Sequence, residues 1–466
     1  MTPLTYVVMY GFVPFALWLF GKYPPRVAVA AVFVVGWCFL PQAEFIFPVI
    51  PDYTKVSALG IAAIWGVYAK DPKILSTFKF GAIDLPMAAW CIAPFFSSVT
   101  NDLGAWDGFS AILQQVFEWG IPYFVGRLYF GELEAMKILG IAMFVGALVL
   151  APLALIEIVI SPQLHIILYG WYPHDFSQTK RGGGYRPSIF MHHGLELAIW
   201  MMAGLFLGWQ LFLQKVIPKM VPILKVPTFP AVLFLTFVTV ACRSSGALML
   251  FFFAMGVFMA SKIMRFALPF YILLAIPVIY MNLRATGAWD GQSFVDAAER
   301  AVGTERSESL AYRIHNETIL AEKAGQRRMF GWSGYRRSFV TNDEGEYISV
   351  PDGMWILTFG KNGLFGLTAL TATLLLAPFL FTLKWPAKTW GDPLVAPAAA
   401  FAVILGVTMI DDLLNAMYNP VMMLAAGGLS SLVSRPQRVM SSADLARLEV
   451  GGTAPILPTL PATRVI

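Results

Sequence analysis

Two arginines stand out from their apolar surroundings. Arg186 closes the run Lys180-Arg181-Gly182-Gly183-Gly184-Tyr185-Arg186-Pro187, just ahead of Ile189-Phe190-Met191-His192-His193-Gly194. Arg243 interrupts two apolar runs in Ala241-Cys242-Arg243-Ser244-Ser245-Gly246-Ala247. A planar guanidinium holds phosphate oxygens in bidentate fashion, and a cation at an apolar boundary is costly unless solvated or partnered. Arg186 therefore either snorkels to headgroups or meets an anionic ligand. Arg243 is either tied to a carbonyl or carboxylate, or holds phosphate oxygens near a helix N-terminus. The glycines at 182–184 could bring backbone N–H groups to a phosphate, but no Gly-x-x-x-x-Gly-Lys-Ser/Thr pattern occurs, which excludes a nucleotide P-loop.

Few groups could move a proton. Asp352, in Val350-Pro351-Asp352-Gly353-Met354-Trp355, begins an apolar run and is placed equally well as a helix N-cap or as a general base. His192 and His193 are adjacent, so on a helix they point in different directions, and no His-x-x-x-His or carboxylate spacing accompanies them. A metal site is not expected. His315 reads as a surface residue, and Asp411, Asp412 and Asn415 read as a structural polar cluster at a turn.

The elements that must hold these residues are apolar helices. Of 466 residues, 58% are hydrophobic and only 13% charged, with a mean hydropathy of +0.66, whereas soluble chains carry about a quarter charged residues. Apolar runs recur near 4–20, 27–41, 56–69, 83–99, 108–127, 136–160, 189–214, 228–242, 246–260, 266–283, 354–383, 394–411 and 416–433. A span needs roughly 20 apolar residues and must be helical, which predicts an all-α polytopic membrane protein of 12–13 spans. The first run, Leu4–Phe20, has no small-residue cleavage site after it and is expected to be a retained span. Cys38, Cys91 and Cys242 sit in or beside apolar runs and read as small buried hydrophobes. The formal charge of +5 is spread over short loops, so no nucleic-acid partner is expected.

Lys215, Lys219 and Lys225, Lys262 and Arg265, Lys384 and Lys388, and Arg435, Arg438 and Arg447 gather in connectors separated by even numbers of spans. The positive-inside bias puts these connectors on the cytoplasmic side. Segments 161–188, 242–246, 284–353 and 411–416 then face outward, and the N-terminus is outside for 13 spans and inside for 12. The chain divides into 1–283 with about ten spans, an outer loop at 284–353, spans within 354–433, and a tail at 434–466 expected to be disordered. Residues 284–351 of the outer loop hold 19 of the 61 charges, and the loop reads as a folded cap. Ser307 or Ser309 is placed to start a helix through Leu310, Ile314 and Ala321 that stops at Gly325. Within it Arg313 and Glu317 are i,i+4 neighbours.

Four features in this order resemble the O-antigen ligase/Wzy-type polymerase superfamily of bacterial membrane glycosyltransferases. They are Arg186 ahead of a His- and Gly-bearing span; the Arg243-Ser244-Ser245-Gly246-Ala247 break, similar to a Ser-Arg-Gly-Ala motif; the charged loop with Arg313 and Phe330-Gly331-Trp332; and Asp352 followed by Phe359-Gly360-Lys361-Asn362-Gly363-Leu364-Phe365-Gly366. The resemblance covers roughly 100–435. It implies a fold like that of the GT-C lipid-dependent transferases, no metal and no cofactor. Arg186 and Arg243 would bind the pyrophosphate of an undecaprenyl-linked oligosaccharide, with Arg313, Arg336, Trp332, Tyr335 and Trp355 completing the substrate-binding set. The catalytic candidates are Asp352, His192 and His193. The family's ligases usually have His-Asn where this chain has Asp352-Gly353, which favours exopolysaccharide polymerisation over lipid A–core ligation.

The implied partners are a glycan or lipid acceptor, membrane lipid and other polysaccharide export proteins. The implied location is the bacterial inner membrane, multi-pass, with the active site toward the periplasm. The other reading is a polysaccharide or lipid-linked glycan transporter or flippase. The sequence has no evident internal repeat or pair of interrupted half-helices, features that transporters often show.

Overall fold

The computed structural model describes residues 1–47, 51–181, 183–334 and 336–434, apart from the side chains of 301, 302 and 304–306. Tyr335 and the tail beyond Ser434 lie outside the described residues. Each of the apolar runs forms a helix. In chain order they are α1 (Pro3–Lys22), α2 (Pro25–Phe39), α3 (Lys55–Lys70), α4 (Leu85–Thr100), α5 (Ala105–Gln115) continued through a π-helical turn at Val116–Gly120 into α6 (Ile121–Tyr129), and α7 (Leu133–Ile160). After the short α8 (Leu164–Tyr169) follow α9 (Gly194–Leu213), α10 (Thr228–Ala241), α11 (Ser245–Met264) and α12 (Leu268–Ala285). The cap contributes α13 (Gln292–Val302) and α14 (Thr304–Gly325), and α15 (Met354–Lys384), α16 (Ala396–Leu414) and α17 (Pro420–Ser434) complete the bundle. Two-residue strand pairs, β1 (Glu44–Phe45) with β2 (Tyr53–Thr54) and β3 (Lys180–Arg181) with β4 (Gly184–Tyr185), are antiparallel.

Among the described residues eight helices are long and apolar enough to cross a membrane, while α2, α10 and α17 are apolar but shorter. Proline or a short polar side chain opens many of them. In α3, Thr54 and Ser57 cap each other's backbone N–H groups. Glycines set the closest approaches: a Cβ on Gly126 of α6 would lie 2.1 Å from the Leu424 carbonyl, and one on Gly427 of α17 would lie 2.0 Å from that of Tyr123. The alanine-rich start of α16 is enclosed on all sides. All three cysteines are buried and unpaired, as expected.

The helix ends sort into two faces. On one, Thr2 hydrogen-bonds Leu168 and Tyr169, Gln42 and Lys55 reach Phe190, Arg186 reaches Arg243, Arg327 reaches Thr100, and Arg313 reaches Leu414. The loops expected to share a side therefore meet, and the N-terminus is on that side. On the other face Arg26 pairs with Glu132, Arg127 reaches Lys79, Asp84 and Ser434, and Lys262 reaches Gln214.

Three expectations are corrected. The run at 189–214 is helical only from Gly194, because its first residues form an irregular turn with Ile189 at a φ of 55°. Helix α16 extends to Leu414, so Asp411 and Asp412 occupy its last turn, buried, with only Asn415 in the turn beyond. One long helix is interrupted: in α15, Gly363 adopts φ 65° and ψ −166°. The segment 328–333 fills the break. Leu364 and Phe365 donate to the Arg328 and Met329 carbonyls, and Trp332 and Ser333 donate to those of Gly360 and Lys361. Backbone at such a depth is tolerated only when protein satisfies it in this way.

The cap folds as a helical hairpin. Its second helix stops at Gly325 as anticipated but starts at Thr304, three residues before Ser307, and α13 precedes it.

Candidate functional site

The site is built around the turn that follows the β3–β4 hairpin. The Arg186 N–H donates to the Thr179 carbonyl at 2.8 Å, which fixes Arg186 at the hairpin base. Three side chains then take up backbone groups of the irregular segment. Glu157, from within α7, accepts the N–H groups of Ser188 (2.9 Å) and Ile189 (2.7 Å), and its other oxygen accepts that of Leu164 (3.0 Å). Lys55 donates to the Phe190 carbonyl at 2.9 Å, and Glu196 accepts the His192 N–H at 2.7 Å.

Held in this way, Arg186 is 8% exposed, and its Nη2 reaches the Arg243 carbonyl at 3.4 Å. Among the described residues its buried Nε has no hydrogen-bond partner. The charges nearest to it are cationic: burial, Arg181 and Arg313 together push its pKa down to about 10, which leaves it protonated at neutral pH. Among the described residues no carboxylate pairs with it. Arg243 sits in the turn between α10 and α11 at a φ of 55°, and its Nη1 donates to the Arg181 carbonyl at 3.2 Å. Its guanidinium lies on Gly184, where a Cβ would stand 2.5 Å from Nη2. That glycine makes room for the arginine. An open cleft of about 450 Å³ lies along Lys180, Arg181 and Gly183–Tyr185.

Arg313 brings the cap to the same place. Its Nη1 reaches the Leu414 carbonyl at 3.2 Å and Asn415 Oδ1 at 3.4 Å, and its Nε lies 3.6 Å from Asp352 Oδ2. Asp352 is not the N-cap of α15. Gly353 holds that position, and the carboxylate is turned to Arg313. Burial raises the Asp352 pKa and Arg313 partly offsets this.

His193 is the N-cap of α9, and its Nδ1 accepts the Leu195 N–H at 3.0 Å. That contact places the ring proton on Nε2. Burial, His174, Arg186 and other cations push its pKa down to about 3, so it is a neutral donor and a weak base. His192 and His193 both meet the His174 ring edge-on, at 5.3 and 4.7 Å between centroids. Among the described residues no group of side chains is arranged to hold a metal ion.

Other expected residues lie elsewhere. Trp355 is fully buried and donates to Glu317 Oε1 at 3.0 Å, so it anchors the cap and offers no face to a sugar. The Trp332 ring is flanked by Lys323 and Arg327, and Arg336 lies over the Tyr347 ring. Glu317 does not pair with its helix neighbour Arg313; it pairs with Arg284 of α12 at 3.2 Å.

Glu157, Glu196, Lys55, His174 and Arg181 were not singled out in the sequence. A lone acid inside the run at 136–160 was the available signal for Glu157, because an ionisable residue at membrane depth needs a partner. Compared with known proteins, the chain matches no family model and no curated protein.

Proposed function

We propose that this chain is a bacterial inner-membrane glycosyltransferase of the O-antigen ligase/Wzy type, with a fold like that of the GT-C enzymes. It moves or polymerises undecaprenyl-pyrophosphate-linked glycan onto a sugar hydroxyl on the periplasmic side. One observation carries the reading: Arg186 is buried, has an unpartnered Nε and is surrounded by cations. Such a site is electrostatically incomplete without an anion, and a pyrophosphate supplies several oxygens in the geometry that guanidinium groups bind.

The chemistry follows from the neighbours. Asp352 accepts the proton of an acceptor hydroxyl as its oxygen bonds to the anomeric carbon. The bond from that carbon to the pyrophosphate oxygen breaks, and Arg186 and Arg243 stabilise the charge that develops there. Arg313 orients Asp352. The neutral His193, with its proton on Nε2, suits donation to a phosphate oxygen better than proton abstraction.

A second reading, a lipid-linked glycan transporter, is favoured by the interruption of α15 at Gly363, an arrangement that transporters use at binding sites. One experiment separates the two. Purified protein in proteoliposomes receives the host's lipid-linked glycan, and free undecaprenyl pyrophosphate and glycan length are followed for wild type and Arg243→Ala. Carrier release with a lengthened or transferred glycan, lost in the folded variant, supports the transferase. Movement of intact lipid-linked glycan between leaflets without release overturns it.

A further inference from the structure

The turn that fills the α15 break carries a second, unrelated concentration of charge. From Lys323 through Arg337 the chain has five cations, Lys323, Arg327, Arg328, Arg336 and Arg337, and no acid, with Glu322 immediately before them. Three of them gather on one residue. Lys323 Nζ lies 4.0 Å and Arg327 Cζ 5.0 Å from the Trp332 ring centre, and Arg337 Nε donates to the Trp332 carbonyl at 3.2 Å. Among the described residues Lys323, Arg327, Arg328 and Arg337 make no salt bridge, and the three arginines are exposed. The patch is on the face opposite the lysine-rich connectors, so the positive-inside bias does not account for it.

Its surroundings say what it faces. Arg327 Nη1 donates to the carbonyl of Thr100, the last residue of α4, at 2.9 Å. Phe330 stacks on Phe96 of the same helix. Met329, between Arg328 and Phe330, is 57% exposed, and the outward surfaces of α4 and α5 beside it present Phe96, Val99, Trp106 and Phe109. Guanidinium groups thus sit at the end of an exposed apolar wall, the level where acyl chains give way to headgroups. A soluble anion would need the cations but not the wall.

We infer that the cations Lys323, Arg327, Arg328 and Arg337 bind the phosphodiester headgroups of anionic phospholipid, with Arg327, Arg328 and Arg337 on the phosphates and Met329, Phe96 and Trp106 against the acyl chains. The site docks the cap onto the leaflet, and it is independent of the glycosyltransferase reading.

The test uses the full chain in nanodiscs of equal phosphatidylcholine and phosphatidylglycerol, with the lipid retained after transfer to detergent counted by native mass spectrometry. Wild type is expected to retain phosphatidylglycerol preferentially. Arg328→Gln and Arg328→Gln/Arg337→Gln should lose that preference by about fivefold per cation removed. Lys215→Gln/Lys219→Gln/Lys225→Gln on the opposite face should keep it. The Arg328 side chain makes no hydrogen bond among the described residues, so the single variant keeps the test valid if the double variant fails to fold. The inference is overturned by the absence of preference in wild type, by full preference in a folded Arg328→Gln/Arg337→Gln, or by inorganic phosphate displacing the lipid at equal concentration, which would mark a soluble-anion site.

Discussion

The Glu157 carboxylate accepts the Ile189 N–H at 2.7 Å and holds that β-branched residue at a φ of 55°, a left-handed conformation that such side chains rarely adopt. The same oxygen holds Ser188, so one buried acid in the last turn of α7 sets the path of the chain three residues after Arg186. Glu157→Gln keeps the shape but turns an amide toward backbone donors. Loss of charged hydrogen bonds of this kind costs about 1.5–3 kcal/mol each. The variant should unfold at a clearly lower temperature in detergent, and the folded fraction should bind pyrophosphate more weakly. Unchanged melting would mean that the segment is held by Lys55 and Glu196 alone.

Arg186 and Arg243 should respond differently to substitution. Inorganic pyrophosphate is expected to raise the melting temperature of wild type, because a ligand that binds only the folded state stabilises it. Arg186→Lys removes the fork while keeping the charge, and it should abolish most of that shift. Arg243→Ala should reduce it, with a smaller structural penalty because Arg243 is exposed and lies on Gly184. Equal shifts in all three proteins would remove both arginines from the site.

Asp352 gives a pH prediction with a definite sign. Burial raises its pKa, so the folded protein prefers the neutral acid. Its ionisation therefore costs stability: the penalty is absent below the ordinary carboxylate pKa of about 3.9 and complete above the raised folded value. A base must be ionised, so the transfer rate should rise along an acid limb placed above that ordinary value. Arg313→Ala removes the cation that offsets burial and should move the limb to higher pH. Asp352→Asn should lower the rate by roughly 10²-fold or more. A pH–rate profile in Arg313→Ala that superimposes on wild type would dismiss Asp352 as the base.

A buried ion pair fastens the cap helix α14 to α12. Arg284 Nε lies 3.2 Å from Glu317 Oε2, Tyr280 and Trp355 donate to the same carboxylate, and the other Arg284 nitrogens reach the Trp289, Asp290 and Ile314 carbonyls and the Thr318 hydroxyl. Removing one partner of a buried pair costs about 3–5 kcal/mol. Glu317→Ala should loosen the cap before the bundle, seen as faster tryptic cleavage within 284–353 while the helical signal is retained. Cleavage at the wild-type rate would show that α14 is held elsewhere.

The sequence foretold the helices better than their irregularities. Apolar length alone located the runs that became α1 to α7, α9 to α12 and α15 to α17, because a membrane-depth segment has few alternatives. It did not reveal that Ile189 to His193 are non-helical, since Ile189-Phe190-Met191 continue the apolar run and the turn is held by Glu157 and Lys55 from distant positions and by Glu196 from the helix that follows. The two arginines and Asp352 were visible as polar residues in apolar company; in the structure Arg186 meets the Arg243 carbonyl and Asp352 meets Arg313, whose charge Arg186 also feels. The Arg313–Glu317 spacing suggested a helix-surface pair, yet Glu317 faces inward to Arg284, a partner that only the cap's docking supplies. Trp355 and Trp332 looked alike as substrate-binding aromatics, and only packing separates a buried anchor from a ring flanked by cations.

Gly363 and Gly331 meet where α15 is interrupted. A Cβ on Gly363 would lie 2.3 Å from the Met329 carbonyl, and one on Gly331 would lie 2.5 Å from that of Lys361. Both residues have positive φ, 65° and 72°. Alanine at 363 has two ways out. It can keep the break, at about 1–3 kcal/mol for a φ/ψ combination open essentially to glycine alone, plus the contact with Met329. It can instead become helical, which straightens α15 and expels 328–333, because Leu364 and Phe365 would then donate within the helix rather than to Arg328 and Met329. Either route loosens the turn, so tryptic cleavage after Arg327 or Arg328 should accelerate in Gly363→Ala. Gly256→Ala in α11, where a Cβ meets nothing within 4 Å, should leave cleavage unchanged and stability equal or slightly higher. If both variants are cleaved at the wild-type rate, the turn does not depend on the break, and 328–333 is held by the hydrogen bonds of Ser98 to Ser333 and of Asn101 to the Gly331 carbonyl instead.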